Sequence, residues 1–148
     1  MTALTQGRNT PRVSGDIKRL GVATGVTIFE GAIVMRTATG FGTKGQTALN
    51  LVGVGMAMHR ATGGASDGAK PIDVHVGIFR FGNSGAADAI TIADIGKPAY
   101  AVDDQTVAKT NGTNTRSIAG FIYDVDDLGV FVAFDEAAVR SFIAGTAA

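Results

Sequence analysis

Apolar residues alternate with small or polar ones along most of the chain, and this period of two predicts strands. Val22 to Arg36 reads as extended structure with a bend or bulge at Glu30-Gly31. Val26 and Ile28 alternate with Thr27 and Phe29, and Ile33 and Met35 with Ala32 and Val34. Val52, Val54, Met56 and Met58 alternate with Gly53, Gly55, Ala57 and His59. That strand has one bulky face and one small face, and the small face suits the underside of another backbone or a subunit. Val74 to Phe81 reads as a single strand, followed by a turn at Gly82–Gly85 and a short connection from Asp88 to Gly96. From Pro98 to Phe134 the chain packs four short strands between turns rich in Asp, Asn and Gly: 98–102, 106–110, 118–123 and 130–134. Strand runs at this spacing predict an antiparallel meander in a sandwich or small barrel.

The period changes once, at the end. Asp135 suits a helix N-cap, Glu136 the first turn and Gly145 a stop. Val139, Phe142 and Ile143 then share one face of a short helix at about 135–144. The start differs in kind. Residues 1–16 hold Gly7, Pro11 and Gly15 but only Leu4 and Val13 as clear apolar residues, too little to order the segment alone. The expected fold is therefore all-β, mainly an antiparallel barrel or sandwich, with a flexible N-terminal arm over 1–16 and one domain over 17–148 that ends in the helix.

Composition narrows the functional classes. The 148 residues suffice for one domain with a proper core. There are 21 glycines, about twice the ordinary share of roughly 7 %, without a collagen-like period, which assigns them to turns, bulges and close strand packing. Thirteen basic residues balance thirteen acidic ones, so no global field draws nucleic acid or an anionic membrane. With no cysteine there is no disulfide, thiolate metal site or cysteine nucleophile, which fits a reducing cytosol. No signal-peptide pattern and no membrane-length apolar run is visible, so the expectation is a soluble protein made in the cytoplasm.

Candidate chemistry is sparse. Gly40, Gly42 and Gly45 match G-x-G-x-x-G, but Gln46 to Gly55 does not read as the required helix, so the stretch is expected to be a flexible loop. His59 and His75 fall on separate strands without metal-ligand spacing. Asp124, Asp126 and Asp127 lack the rest of a calcium loop, and with Asp103 and Asp104 they read as turn residues. No nucleophile elbow is present, and Asn111-Gly-Thr113 is a glycosylation sequon of consequence only after secretion. No catalytic, cofactor-binding or metal residue is assigned, and the chain reads as non-enzymatic with no cofactor.

Two features point to partners instead. The arm carries Arg8 and Arg12, with Lys18 and Arg19 just after it, and reads as a segment that orders on a partner, for instance by adding a strand to a sheet edge. Several late strands are apolar on both faces: Phe121 and Tyr123 lie opposite Ile118 and Ile122, and Phe131 lies opposite Val130 and Val132. Such strands need cover on both sides. Phe121, Tyr123, Phe131 and Phe142 are the candidate subunit-packing residues of a homo-oligomer.

The order of several runs adds a family resemblance. Phe29-Glu-Gly-Ala32, Gly77-Ile-Phe-Arg-Phe81, Ala89 to Lys97, Ala99 to Lys109, Thr115 to Gly120 and Asp124 to Val130 together resemble the capsid cement, or decoration, proteins of tailed bacteriophages and prophages, including Mu-like ones. The likeness spans residues 22–134 and rests on order and spacing. It implies a small β-barrel-like protein on the outside of a capsid, often a trimer at three-fold positions, that clamps neighbouring major capsid proteins. It also implies that the arm, with Leu4, Arg8, Arg12 and Val13, reaches along the capsid surface. The alternatives are another virion component, such as a head spike or tail protein, and a DNA-binding accessory protein that uses the basic arm.

Overall fold

The computed structural model describes residues 2–146; the outermost positions of the expected arm and domain, Met1, Ala147 and Ala148, lie outside them. The chain is mostly β, as the alternation implies. Its strands are β1 (Ile17–Gly21), β2 (Thr27–Ile28), β3 (Ile33–Arg36), β4 (Gly42–Lys44), β5 (Val52–Ala57), β6 (Ala61–Thr62), β7 (Pro71–His75), β8 (Ile78–Asn83), β9 (Pro98–Ala101), β10 (Thr106–Ala108), β11 (Ile118–Asp126) and β12 (Gly129–Ala133). One helix, α1 (Glu136–Thr146), closes the chain.

These strands form two units. In the second, β10-β8-β12-β11-β9 make a closed barrel. In the first, β1-β7-β5-β3-β4 make a sheet whose edges meet, because Val22, just after β1, bridges in parallel to Gly42 of β4. Five strands cannot all be antiparallel around a ring, since direction must alternate. One contact has to be parallel, and in the second unit it is β8 with β10.

The two units share one topology, register by register. Leu20↔Ile72 and Lys18↔Val74 correspond to Phe81↔Val130 and Phe79↔Val132. The pairing of β3 with β5 slips at one point, leaving Val54 as an extra residue; that of β9 with β11 slips at the matching point, leaving Ala119. Such a bulge sharpens the local bend of a closing sheet. The parallel bridge Val22↔Gly42 matches Val107↔Asn83. The hydrogen bonds repeat too: Ala23 N–H to Gly42 O and Ser84 N–H to Val107 O, then Gly31 N–H to Ala57 O and Gly96 N–H to Ile122 O. Gly55 and Gly120 occupy equivalent places for one physical reason. A Cβ on Gly55 would meet the His75 carbonyl at 2.2 Å, and one on Gly120 the Ala133 carbonyl at 2.4 Å. The chain is thus an internal repeat, residues 17–76 and 78–134.

The structure departs from the sequence reading in four places. The stretch Val74–Phe81 is two strands rather than one, because the boundary between units falls at Val76-Gly77. The last four strands are not a meander: β11 pairs with β9, and β10 lies between β9 and β8. The glycine-rich 39–45 stretch is no loop throughout, since Gly42–Lys44 forms β4 and pairs with β3. Val22–Arg36 is also broken further than expected, with positive-φ glycines at Gly25 and Gly31 separating β1, β2 and β3.

The small face of β5 does lie under another backbone. Gly53 sits against the main chain of Ala119, where β5 crosses β11 and the two units join. Val34, Val54, Ile72 and Val74 fill the first unit. Ile33 and Met35, on the other face of β3, enter the core of the second with Phe81, Val130 and Val132. Ser117 pins the join: its buried hydroxyl accepts the Leu51 N–H at 3.1 Å and donates to the Ala48 carbonyl at 2.7 Å. The helix then covers the seam, burying Val139 with Val52 and Ile118. Asp135 caps it by accepting the Ala138 N–H at 3.0 Å. Gly145 lies inside the helix instead of stopping it.

Candidate interaction surfaces

Residues 2–16 are exposed throughout and belong to no strand or helix. Leu4, Arg8, Arg12 and Val13 all stand on this arm. Order begins at its root, where the Asp16 carbonyl accepts the Val76 N–H at 2.8 Å. Two residues later Lys18 reaches Glu136, the first residue of α1, at 2.8 Å. Arg36 grips the same carboxylate with two bonds, Nε to Oε2 at 2.8 Å and Nη2 to Oε1 at 2.9 Å. Burial pushes the Glu136 carboxyl up, but the bonds from Arg36 and Lys18 prevail and hold it down at about 2. The arm root, β3 and the helix start are thereby tied at one point.

The four proposed packing residues have separate surroundings. Phe121 and Phe142 meet each other edge-on, with ring centroids 6.1 Å apart, so α1 covers this strand face from within the chain. Phe131 lies beneath the Arg80 guanidinium, 5.6 Å from its ring centre. Tyr123 alone among the four is left largely open, at 60 % exposure. Helix and neighbouring unit therefore supply much of the cover that the two-sided strands require, which sequence reasoning could not foresee without the repeat.

A groove of about 480 Å³ runs beside α1. It is built from the equivalent loops of both units, 45–51 and 109–117, together with Arg36, Arg140 and Phe142. Its lining includes no acid and no histidine. Arg116 on its wall bonds Asp88 at 3.2 Å and the Thr110 carbonyl at 3.1 Å, while its buried Nε has no acceptor among the described residues. The Thr110 hydroxyl and Arg116 together hold the Asp88 carboxyl below the usual range.

The remaining titratable groups serve local structure. His59 Nε2 faces the Asp73 N–H (3.1 Å) and the Asp73 carboxylate (3.3 Å), and its Nδ1 faces the Arg60 carbonyl (3.1 Å), so the ring is held between β7 and its own loop. His75 packs against Phe79, with centroids 5.6 Å apart. Asp126 Oδ1 accepts the N–H groups of Leu128 and Gly129, and these bonds, with Arg80, lower its pKa. Asp103 likewise accepts the Gln105 N–H. Asp103-Asp104 and Asp126-Asp127 are hairpin ends, but Asp124 is not a turn residue: β11 runs on to Asp126 and pairs Asp124 with Phe131. Among the described residues no group of three or more His, Cys, Asp or Glu is placed to hold a metal ion. No helix among them is long and apolar enough to cross a membrane.

No family model matches the chain, and neither the curated proteins nor the solved structures provide a match.

Proposed function

We propose that this is a non-enzymatic structural protein of a tailed-phage virion, which binds the outside of the capsid as a homo-oligomer and cements neighbouring major capsid subunits. The observation that carries the reading is the pairing of a double-barrel body, joined by backbone-close contacts at Gly53 and Ala119, with an exposed arm over residues 2–16. Cementing asks for such parts: a body that does not deform, a segment that reaches a neighbouring subunit, and several weak contacts multiplied by effective concentration. The resemblance of residues 22–134 to capsid decoration proteins supports the same reading. Leu4, Arg8, Arg12 and Val13 are the contacts assigned to the arm.

The test is co-sedimentation of the purified protein with expanded, DNA-free shells of the phage that encodes it. Full-length protein is expected to pellet with the shells and to raise the temperature at which they fall apart. Protein lacking residues 2–14 is expected to keep its circular dichroism spectrum and to lose most of that binding. A full-length protein that stays in the supernatant contradicts the reading.

A further inference from the structure

The internal repeat allows one unit to show what the other lacks. In the first unit, residues 58–70 extend the connection between β5 and β7. Within that extension β6 pairs with β2, Ile28 is completely buried, and the Arg60 guanidinium sits 5.2 Å from the Phe29 ring centre. An extended strand with an arginine beside it thus covers this end of the unit. In the second unit the corresponding connection is only the turn Asp127-Leu128, and the place of β2 is taken by a 3-10 turn, Ile92–Asp94, without a strand partner.

The uncovered end is apolar and acidic. Ile92 and Leu128 are each 74 % exposed, Tyr123 60 % and Ile95 46 %. The Gly96 N–H bond to the Ile122 carbonyl (2.8 Å) ties the residue that follows Ile95 to the residue that precedes Tyr123. Asp124 and Asp127 are exposed and have no ion pair among the described residues. Arg80 and Lys97 are engaged by Asp126 (3.4 Å) and Asp94 (3.6 Å). A segment that fits this end must be extended, basic and apolar at intervals. The arm has that chemistry: Leu4, Arg8, Arg12 and Val13 are exposed, and no acid stands between residues 2 and 15.

We propose that the arm of a second copy lies across this end of the second unit, in the position that β6 holds on the first. Leu4 and Val13 cover Ile92, Tyr123 and Leu128, and Arg8 and Arg12 face Asp124 and Asp127. An arm rooted on the first unit of one copy and seated on the second unit of the next makes a head-to-tail contact, the kind that closes into a ring. The inference rests on the self-association in the function proposed above and names the partner the arm holds in solution, before a shell competes for Leu4, Arg8, Arg12 and Val13.

Sedimentation velocity on full-length protein in the absence of shells tests it. The wild type is expected to form a closed oligomer at high micromolar concentration. Arg8→Glu with Arg12→Glu, and separately Asp124→Lys with Asp127→Lys, should each weaken association about tenfold, the scale of two exposed ion pairs. Combining all four substitutions should restore it. A monomeric wild type, an oligomer indifferent to the Asp124/Asp127 reversal, or a failure of the combined variant to recover overturns the proposal. An arm deletion that abolishes shell binding but leaves the soluble oligomer intact overturns it while sparing the cement reading. An arm-dependent oligomer that ignores shells supports it and removes the cement reading.

Discussion

Replacing Gly53 by alanine is expected to cost more than about 3 kcal/mol, a large share of the roughly 5–15 kcal/mol that keeps a domain folded. The new methyl would stand 1.7 Å from the Ala119 carbonyl oxygen and 2.6 Å from its Cα, so the obstacle is main chain and not a side chain that can swing aside. Relief requires β5 and β11 to separate, and that opens the join between units, where Ile33 and Met35 cross into the second core. Gly7, where an added Cβ would meet no atom within 4 Å, is the control, and Gly7→Ala should change stability by less than about 0.5 kcal/mol. Urea unfolding of the two variants checks the claim. A Gly53→Ala protein as stable as the control would show that the units do not rely on this contact.

Glu136→Gln is expected to cost about 2–3 kcal/mol at neutral pH. The carboxyl is depressed from 4.5 to about 2, which corresponds to roughly 3.4 kcal/mol at 1.36 per pK unit, less a discount for the solvent-exposed Lys18 partner. Because the folded value lies below the unfolded one, this contribution is complete above about pH 4.5 and is lost as the pH falls toward 2. The gap between wild type and variant should therefore narrow steadily between pH 5 and pH 3. An equal gap at both values would mean that shape, not charge, is what Glu136 supplies. The same variant should loosen the arm root, since Lys18 loses its partner two residues after Asp16.

Much of the fold is legible in the alternation of apolar residues, because burying one face of a strand imposes a period of two whatever the topology. The final helix is legible for a similar reason, through Asp135 and the Val139–Phe142–Ile143 face. What alternation does not carry is which strands are neighbours. The Val74–Phe81 run looks continuous because β7 and β8 are both apolar and only Val76-Gly77 lies between them. The signal of the repeat is present in Ile17-Lys-Arg-Leu-Gly21 and Ile78-Phe-Arg-Phe-Gly82, and in the glycine pairs 31 and 96, 55 and 120. It is faint because a barrel interior accepts Leu20 in one unit and Phe81 in the other, and because residues 58–70 upset the spacing. The candidate surfaces follow the same division. The arm can be read from composition alone, whereas the uncovered end of the second unit becomes visible only when the first is laid beside it.

The repeat also changes the meaning of the late aromatic residues. Phe121, Phe131 and Phe142 look like subunit contacts when only the strand faces are considered. In the folded chain Phe121 and Phe142 satisfy each other and Phe131 is covered by Arg80, which leaves Tyr123 as the member of the set that faces outward with Asp124 beside it. Surface of this kind, apolar and rimmed by charge, is where a partner gains most from excluding water.

The central claim, that this protein cements a capsid from outside, is tested most directly by a reconstruction of the mature particle from electron micrographs. The double-barrel body should appear on the outer shell at three-fold or quasi-three-fold positions, with the arm density running from β1 to a neighbouring subunit. Particles whose outer shell lacks this density at every symmetry position, with the protein found in the tail or absent, would contradict the account.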